Sequence, residues 1–562
     1  MSSPTNRNTS SQPASSRSIA DNTAPVADPL SGSSKDFKPP AAVVDGLSSL
    51  NNAIHRFLQR NPLLNQWKSR RAFVSAQGHM LGILLVAIIV NNWPVSYPRE
   101  DNHSEPMFWF MVLLMGGATA YTLKHKPGTR GVQLLSRAQT EEWKGWMQFI
   151  FIMYHYYRNR TIYNEIRVLV SAYVWMTGFG HFLYCDKKQD FSLERMVSMW
   201  VRINYFPLML SLFLNVKLEL YYVVPLHTVG FFMTMATCYG AKMIREKQLL
   251  GPNFSNSQEK SNVAAIGICL LVHIVFFETP LRGILTWISH EYEFRFSTDK
   301  YSAWFGMLSA FLWSRFQSYM QWCYGEDDSG GSSDASTTSS EPDKADVTSP
   351  QNKTQKPNKN PQKVQAMQIQ RAAGAGLILL WLFGFGMETD KHVYNPRHPY
   401  IFWMPMAGWL MLRNSSKYLT ELHSTVLEFM GRITLETYVL QFHVFMCRNV
   451  QHIPVVIPGS GANGFIILKF ANMLVTGACF IGLAFYARQA TVVTQNAITE
   501  LVTDIKKQYG YSDSAAASPE EEQGLVNKPS LTEVVQFSEA PSKDNNDGLF
   551  QTPQKDKKDE ES

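Results

Sequence analysis

The sequence predicts an all-α polytopic membrane protein with about 12 transmembrane helices, in the range 10–13, with both termini cytosolic and disordered tails. Three observations lead there. First, windows of roughly 20 mostly apolar residues, enough to cross a bilayer, recur along the chain. Second, residues 1–66, 324–366 and 511–562 are of another material, rich in Ser, Thr, Asn, Pro, Asp, Glu and Lys. They cannot bury enough apolar surface to offset the entropy of ordering. Third, Lys and Arg concentrate in alternate loops, which retains those loops in the cytosol. Long continuous apolar runs argue against a β-barrel.

The elements follow in order. The polar tail 1–66 carries apolar residues at helical spacing over 45–66, read as a short interfacial helix. Nothing in 1–40 has the apolar core of a signal peptide, so insertion is expected to begin with the first span. Spans are expected at 72–93, 107–123, 141–157, 166–184, 196–214, 220–239, 263–280 and 301–322, within a first membrane part of 67–323. The stretch 281–300 is half apolar and half charged, and reads as re-entrant or interfacial. After the insert 324–366, the second membrane part, 367–490, holds spans at 372–387, 400–412, 432–447 and 463–487. Residues 491–562 read as a mostly disordered tail. The basic segments 68–71, 124–137, 187–195 and 242–247 all fall on one side, with Arg158 and Arg160 as exceptions on the other. Sequons at Asn102 and Asn159 lie close to the membrane on the lumenal face.

The six cysteines are scattered, mostly in apolar segments, with no CxxC, so neither a zinc site nor a disulfide framework is expected. No nucleotide-binding or hydrolase motif occurs in credible context, no resident cofactor is expected, and the net charge of +6 is read as membrane topology, not nucleic-acid binding.

Polar groups inside a membrane are costly and mark function. The run Leu427 to Val450 places Glu436, Gln441 and His443 within two turns of one apolar helix. His155 sits in Tyr154-His155-Tyr156-Tyr157 at the lumenal end of the third span, and Glu278 at the lumenal end of the seventh. A neutral histidine can take a proton from a hydroxyl, and a carboxylate beside it would stabilise the imidazolium. His155, His443 and Glu278 are therefore the catalytic candidates if their helices adjoin, with Glu436 and Gln441 in support. His79 and His273 read as ordinary interhelical bonds, and His181 and His227 as intermediate. Arg202 and Asn204 either contact the phosphate or pantetheine of a cytosolic donor, or Arg202 pairs with Glu194 or Glu436. His290, Arg295 and Asp299 read either as the lip for a polar lumenal substrate or as an amphipathic cap.

Several strings carry a resemblance: Glu142-Trp143-Lys144-Gly145-Trp146-Met147-Gln148, Tyr154-His155-Tyr156, Thr177-Gly178-Phe179-Gly180-His181, Arg202-Ile203-Asn204, His398-Pro399-Tyr400, Arg413-Asn414-Ser415 and Gly431 to His443. In this order and spacing the chain resembles the multi-spanning O-acetyltransferase family over about residues 70–490, apart from the insert. That family holds fungal capsule O-acetylation proteins, plant reduced-wall-acetylation proteins and vertebrate sialate O-acetyltransferase. The resemblance implies a multi-pass Golgi membrane protein that uses cytosolic acetyl-CoA to support O-acetylation of lumenal polysaccharides or glycans, with Lys144 joining Arg202 and Asn204 at the donor. No lumenal hydrolase-like domain opens this chain, which aligns it with the plant wall-acetylation type and implies a separate lumenal acetyltransferase as partner. One string departs from the family: near residue 290 it commonly reads HEWHFR, and here it reads His290-Glu291-Tyr292-Glu293-Phe294-Arg295. The alternatives are a transporter of acetyl-CoA or an acetyl carrier, and a lipid acyltransferase.

Overall fold

The computed structural model describes residues 70–125, 134–324 and 361–508. The expected interfacial helix at 45–66, most of the insert and the chain beyond 508 lie outside the described residues. So does part of the basic loop 124–137.

Helices cover every expected span. They are α1 (Arg70–Asn91), α2 (Glu105–Tyr121), α3 (Arg137–Tyr157), α4 (Tyr163–Lys188), α5 (Leu193–Leu214), α6 (Val223–Lys247) and α7 (Gln258–Phe277). Then come α8 (His290–Thr298), α9 (Ser302–Tyr324), α10 (Pro361–Trp381), α11 (Lys391–Ile401), α12 (Trp403–Arg413), α13 (Thr425–Arg432), α14 (Thr434–Leu440) and α15 (Ile466–Gln508). Among the described residues, six helices are long and apolar enough to cross a membrane by length and composition. Two expected boundaries change. The second membrane part starts at Pro361, not 367, and the last helix runs to Gln508, so 491–508 is helix and not tail. The expected tenth and eleventh spans are broken elements: two 11-residue helices for the tenth, and α13, α14 and a π-turn (Gln441–Phe445) for the eleventh.

Local sequence sets the ends. Ser136 caps α3 through a capping box with Gln139, and Arg158 in the left-handed region (φ 48°) ends it. Ser192 accepts from the Arg195 amide at the start of α5, and Gln189 (φ 51°) ends α4. The termini of α4, α5, α6, α7 and α15 share one basic end. There Arg245 bonds Gln189 at 2.7 Å, Asp186 accepts from Asn262 at 2.6 Å, and Lys506 pairs with Glu194 at 3.3 Å. At the opposite end a short strand β1 (Ser96–Pro98) pairs antiparallel with β4 (His452–Pro454), and at the basic end β2 (Leu123–His125) pairs with β3 (Leu422–Ser424).

Small residues let helices meet main chain to main chain, as membrane helices do without a hydrophobic drive between them. A Cβ on Gly145 would fall on the Leu427 carbonyl, and one on Gly431 on the Glu141 carbonyl, so α3 and α13 cross in contact. Gly178 and Gly306 do the same for α4 and α9. Most of α4 is enclosed by its neighbours, whereas Leu113, Leu271, Phe383 and Ile467 turn large apolar surface outward, where lipid would cover it.

One expectation fails at the opposite end. Asp299 is not on a surface lip. It is buried, salt-bridged to Arg167 at 2.8 Å and bonded by Ser171 Oγ at 2.6 Å; Ser171 meets His398 Nε2 at 2.8 Å, and Tyr394 meets His398 Nδ1 at 3.0 Å. The sequon asparagines are also buried. Asn102 bonds Tyr97 and the Tyr156 carbonyl, and Asn159 caps the turn at 160–162.

Candidate functional site

Five residues of α3, Arg137, Glu141, Lys144, Gln148 and Phe151, recur at three- and four-residue spacing and so share one stripe. That stripe forms one wall of a cavity of about 230 Å³. Opposite it stand Tyr173, Thr177 and His181 of α4, Arg202 of α5, His227 of α6, Tyr438 of α14 and Arg488 of α15. Five Lys or Arg side chains and a single carboxylate, Glu141, line it. Arg137, Arg432 and Arg488 lie toward the basic end. Phe151, Val170, Val223 and Tyr438 line its apolar depth. A cavity cationic at one end and apolar at the other suits an amphiphilic anion.

The cations are held in place. Lys144 pairs with Glu141 at 2.7 Å, Arg432 with Glu428, and Arg202 with the fully buried Glu436 at 2.7 Å. Arg202 thus pairs with Glu436, as one of its two sequence readings has it, and also lines the cavity. Asn204 does not line it. Its amide bonds the Trp200 carbonyl and Thr228, both at 3.0 Å, tying α5 to α6.

His155 continues the α3 stripe one turn beyond Phe151. Phe442 stands edge-on at 5.7 Å, the Phe151 carbonyl and Gln441 amide lie beside the ring, and the charges of Arg99 and Arg295 act on it. Its Nδ1 makes no well-formed hydrogen bond. The ring is half-buried.

His443 is held differently. It is fully buried on the π-turn, an irregularity that recurs at functional sites. Asn91 Oδ1 accepts from the Asn449 amide at 2.9 Å and lies 3.1 Å from His443 Nδ1. A carbonyl oxygen only accepts, so Nδ1 carries the proton and Nε2 accepts from the Tyr221 hydroxyl at 2.5 Å. Both ring nitrogens are therefore engaged. Gln441 bonds the Tyr438 carbonyl at 2.9 Å and leaves Oε1 without a partner among the described residues.

The structure brings His155, Gln441 and the His443 turn together and leaves Glu278 apart. That carboxylate accepts from Lys300 at 2.6 Å, Tyr400 at 2.7 Å and Tyr301 at 2.9 Å, and fastens α7 to α9 and α11. Partial burial by itself raises its pKa, but the bonds from Lys300, Tyr400 and Tyr301 outweigh this and hold it down at about 2. Glu278 therefore contributes stability that is present above the ordinary carboxylate range and is lost as pH falls through that range toward 2. In a melting series in detergent, Glu278→Gln should lie below the parent at neutral pH, and the gap should close between about pH 4.5 and 2. A gap independent of pH would refute the assignment.

At the same end Arg295 pairs with Glu291 at 2.7 Å and stacks over Tyr222 at 3.9 Å, while His290 is exposed at the start of α8. Sequence reasoning missed the cavity roles of Gln148, Thr177, His227 and Tyr438. The α3 spacing is the signal that could have found Gln148; the others come from separate helices.

The fold and site define a class: an intramembrane helical bundle around a cationic, apolar-ended cavity lined by His227, with His155 one turn beyond its Phe151 wall. The chain belongs to the family described as the 10 TM Acyl Transferase domain found in Cas1p, whose profile matches residues 73–509. It is also 27% identical over 361 residues to the N-acetylneuraminate (7)9-O-acetyltransferase of Danio rerio. That match covers 62% of this chain and 42% of the relative, so the chain spans under half the length of that curated relative. No solved structure matches it.

Proposed function

We propose that this protein is a Golgi O-acetyltransferase that takes acetyl from acetyl-CoA at its basic, cytosolic end and passes it to a hydroxyl of a lumenal polysaccharide or glycan, directly or through a separate lumenal acetyltransferase. The carrying observation is the stripe on α3. It leads from Arg137 and Lys144, suited to an anion, to the half-buried His155 at the other end of the helix. The nucleotide phosphates would sit among the cations and the pantetheine arm along the apolar wall. His155 then removes the proton from the acceptor hydroxyl as its oxygen attacks the thioester carbonyl. The carbon–sulfur bond breaks and the thiolate takes up that proton. His443, fixed by Asn91 and Tyr221, holds the π-turn that sets Gln441 beside His155. His290 and Arg295 flank the acceptor's approach. Twelve spans with cytosolic termini complete this topology.

The test uses sealed vesicles containing the protein, given acetyl-labelled acetyl-CoA outside. His155→Ala should reduce label in lumenal glycan by about 10²–10⁴-fold, the usual contribution of a positioned base, with donor affinity kept. Lys144→Ala should instead weaken donor binding by roughly 10–100-fold, the loss of a hydrogen bond to a charged group. Accumulation of intact acetyl-CoA inside, indifferent to His155, would make the protein a transporter. Labelled lipid in place of glycan would make it a lipid acyltransferase.

A further inference from the structure

We propose that His227 donates the hydrogen bond that polarises the acyl thioester in the cavity, and that Thr177 sets its tautomer. This rests on the acetyl-CoA reading above.

His227 lies one turn inside the start of α6 and lines the cavity with Val223 and Val224 of its own helix. Its Nδ1 is 2.5 Å from Thr177 Oγ1 on α4, a cavity wall as well. The Thr177 hydroxyl has one other acceptor in reach, the Tyr173 carbonyl, at a longer 3.4 Å. Nδ1 is the nearer of the two acceptors by a wide margin, so the Thr177 proton is assigned to it and the neutral ring's own proton to Nε2. The hydrogen bond made by the ring is at Nδ1, and His227 is half-buried and lines the cavity, which leaves Nε2 for a ligand there. The other cavity histidine, His181, is closed in by contrast. It packs edge-on against Phe231 at 4.7 Å and meets Arg195 at 3.4 Å.

A neutral imidazole N–H facing a cavity of this lining is a donor awaiting an acceptor. The carbonyl oxygen of an acyl thioester is such an acceptor, and it becomes a stronger one as the reaction proceeds. When the acceptor oxygen bonds to the carbonyl carbon, the π pair moves onto the carbonyl oxygen, where Nε2–H holds it. The pair then returns, the carbon–sulfur bond breaks, and the thiolate leaves with the proton taken from the attacking hydroxyl. His227 ends as it began, so no oxidant or further reactant is needed. Its role differs from that of His155, which moves a proton, and Thr177 acts only by positioning the ring.

The experiment uses the full chain in nanodiscs with acetyl-CoA carrying ¹³C at the acetyl carbonyl, read by isotope-edited infrared spectroscopy beside acetyl transfer in vesicles. In the parent protein the bound carbonyl stretch should fall below its solution value. His227→Ala should remove that shift and lower kcat by about 10²–10³-fold, the loss of one oxyanion donor, while acetyl-CoA affinity stays within a few-fold. His227→Asn, which keeps an N–H donor, should recover part of both. Thr177→Val should move both in the direction of His227→Ala, and Thr177→Ser should preserve them. An unshifted carbonyl in the parent, or full kcat in His227→Ala, would overturn the proposal. So would equal loss of affinity for acetyl-CoA and for CoA lacking the acetyl group, which marks a scaffold role. If the parent protein binds no acetyl-CoA, the donor reading itself fails; if it binds and transfers and His227→Ala matches it, this proposal alone fails.

Discussion

Gly431→Ala is expected to destabilise the protein and abolish donor binding together, although it adds one methyl group. Its Cβ would coincide with the Glu141 carbonyl on α3, which is backbone and cannot rotate away. The reciprocal contact of Gly145 with the Leu427 carbonyl fixes the same crossing from the other side, so α13 has no direction of small adjustment. Overpacking in a filled interior costs about 1–3 kcal/mol and sometimes more. Here the displaced helix also carries Gly431 and Arg432, and α3 carries Glu141 and Lys144, all walls of the cavity. Melting temperature and acetyl-CoA affinity should fall together. Gly82→Ala on α1 is the control, because nothing stands within 4 Å of its Cβ. There alanine should be neutral or stabilising by up to about 1 kcal/mol from helix propensity. A Gly431→Ala protein that melts and binds like the parent would show that the crossing yields.

Asp299→Ala should be the most damaging single change at the opposite end. It leaves the Arg167 guanidinium, 1% exposed, without its counter-charge. Removing one partner of a buried ion pair costs about 3–5 kcal/mol, because the other charge stays behind. Ser171→Ala removes one neutral donor to the same carboxylate and should cost nearer 1 kcal/mol. The double change Arg167→Met with Asp299→Leu removes both charges and should recover much of the loss. Thermal melts in detergent separate these outcomes. If Asp299 instead contacted substrate, Asp299→Ala would leave the melt unchanged and raise KM, so the same series decides between the two readings.

The distribution of charge along the helices explains how far the sequence could be read. Apolar length marks a span, and α1, α4, α5, α7, α10 and α15 meet that test. Helix α3 does not, because its cavity stripe carries Arg137, Glu141, Lys144 and Gln148. Its aromatics and charged entry still placed a helix there. Arg202 was legible as a residue to be accounted for because a cation inside an apolar helix needs a partner or an anion, and it has Glu436. His155 and His443 were legible on the same ground, but their difference was not. One ring nitrogen of His155 lacks a well-formed bond, while Asn91 and Tyr221, at positions far from residue 443 in the chain, occupy both nitrogens of His443.

By itself, the sequence determined that this is a helical membrane protein of the acyl transferase family, where its helices lie, and which intramembrane polar residues have to be accounted for. Those follow from local composition, which the bilayer reads one helix at a time. The tertiary structure alone decided that Asp299 is buried on Arg167, that Glu278 stands apart from the histidines, and that His227 and Thr177 meet in a cavity with Lys144 and Arg202. The reason is that each of these depends on which helices touch. That is set by close approaches such as Gly145 on Leu427 and Gly178 on Ala303, between residues far apart in the chain.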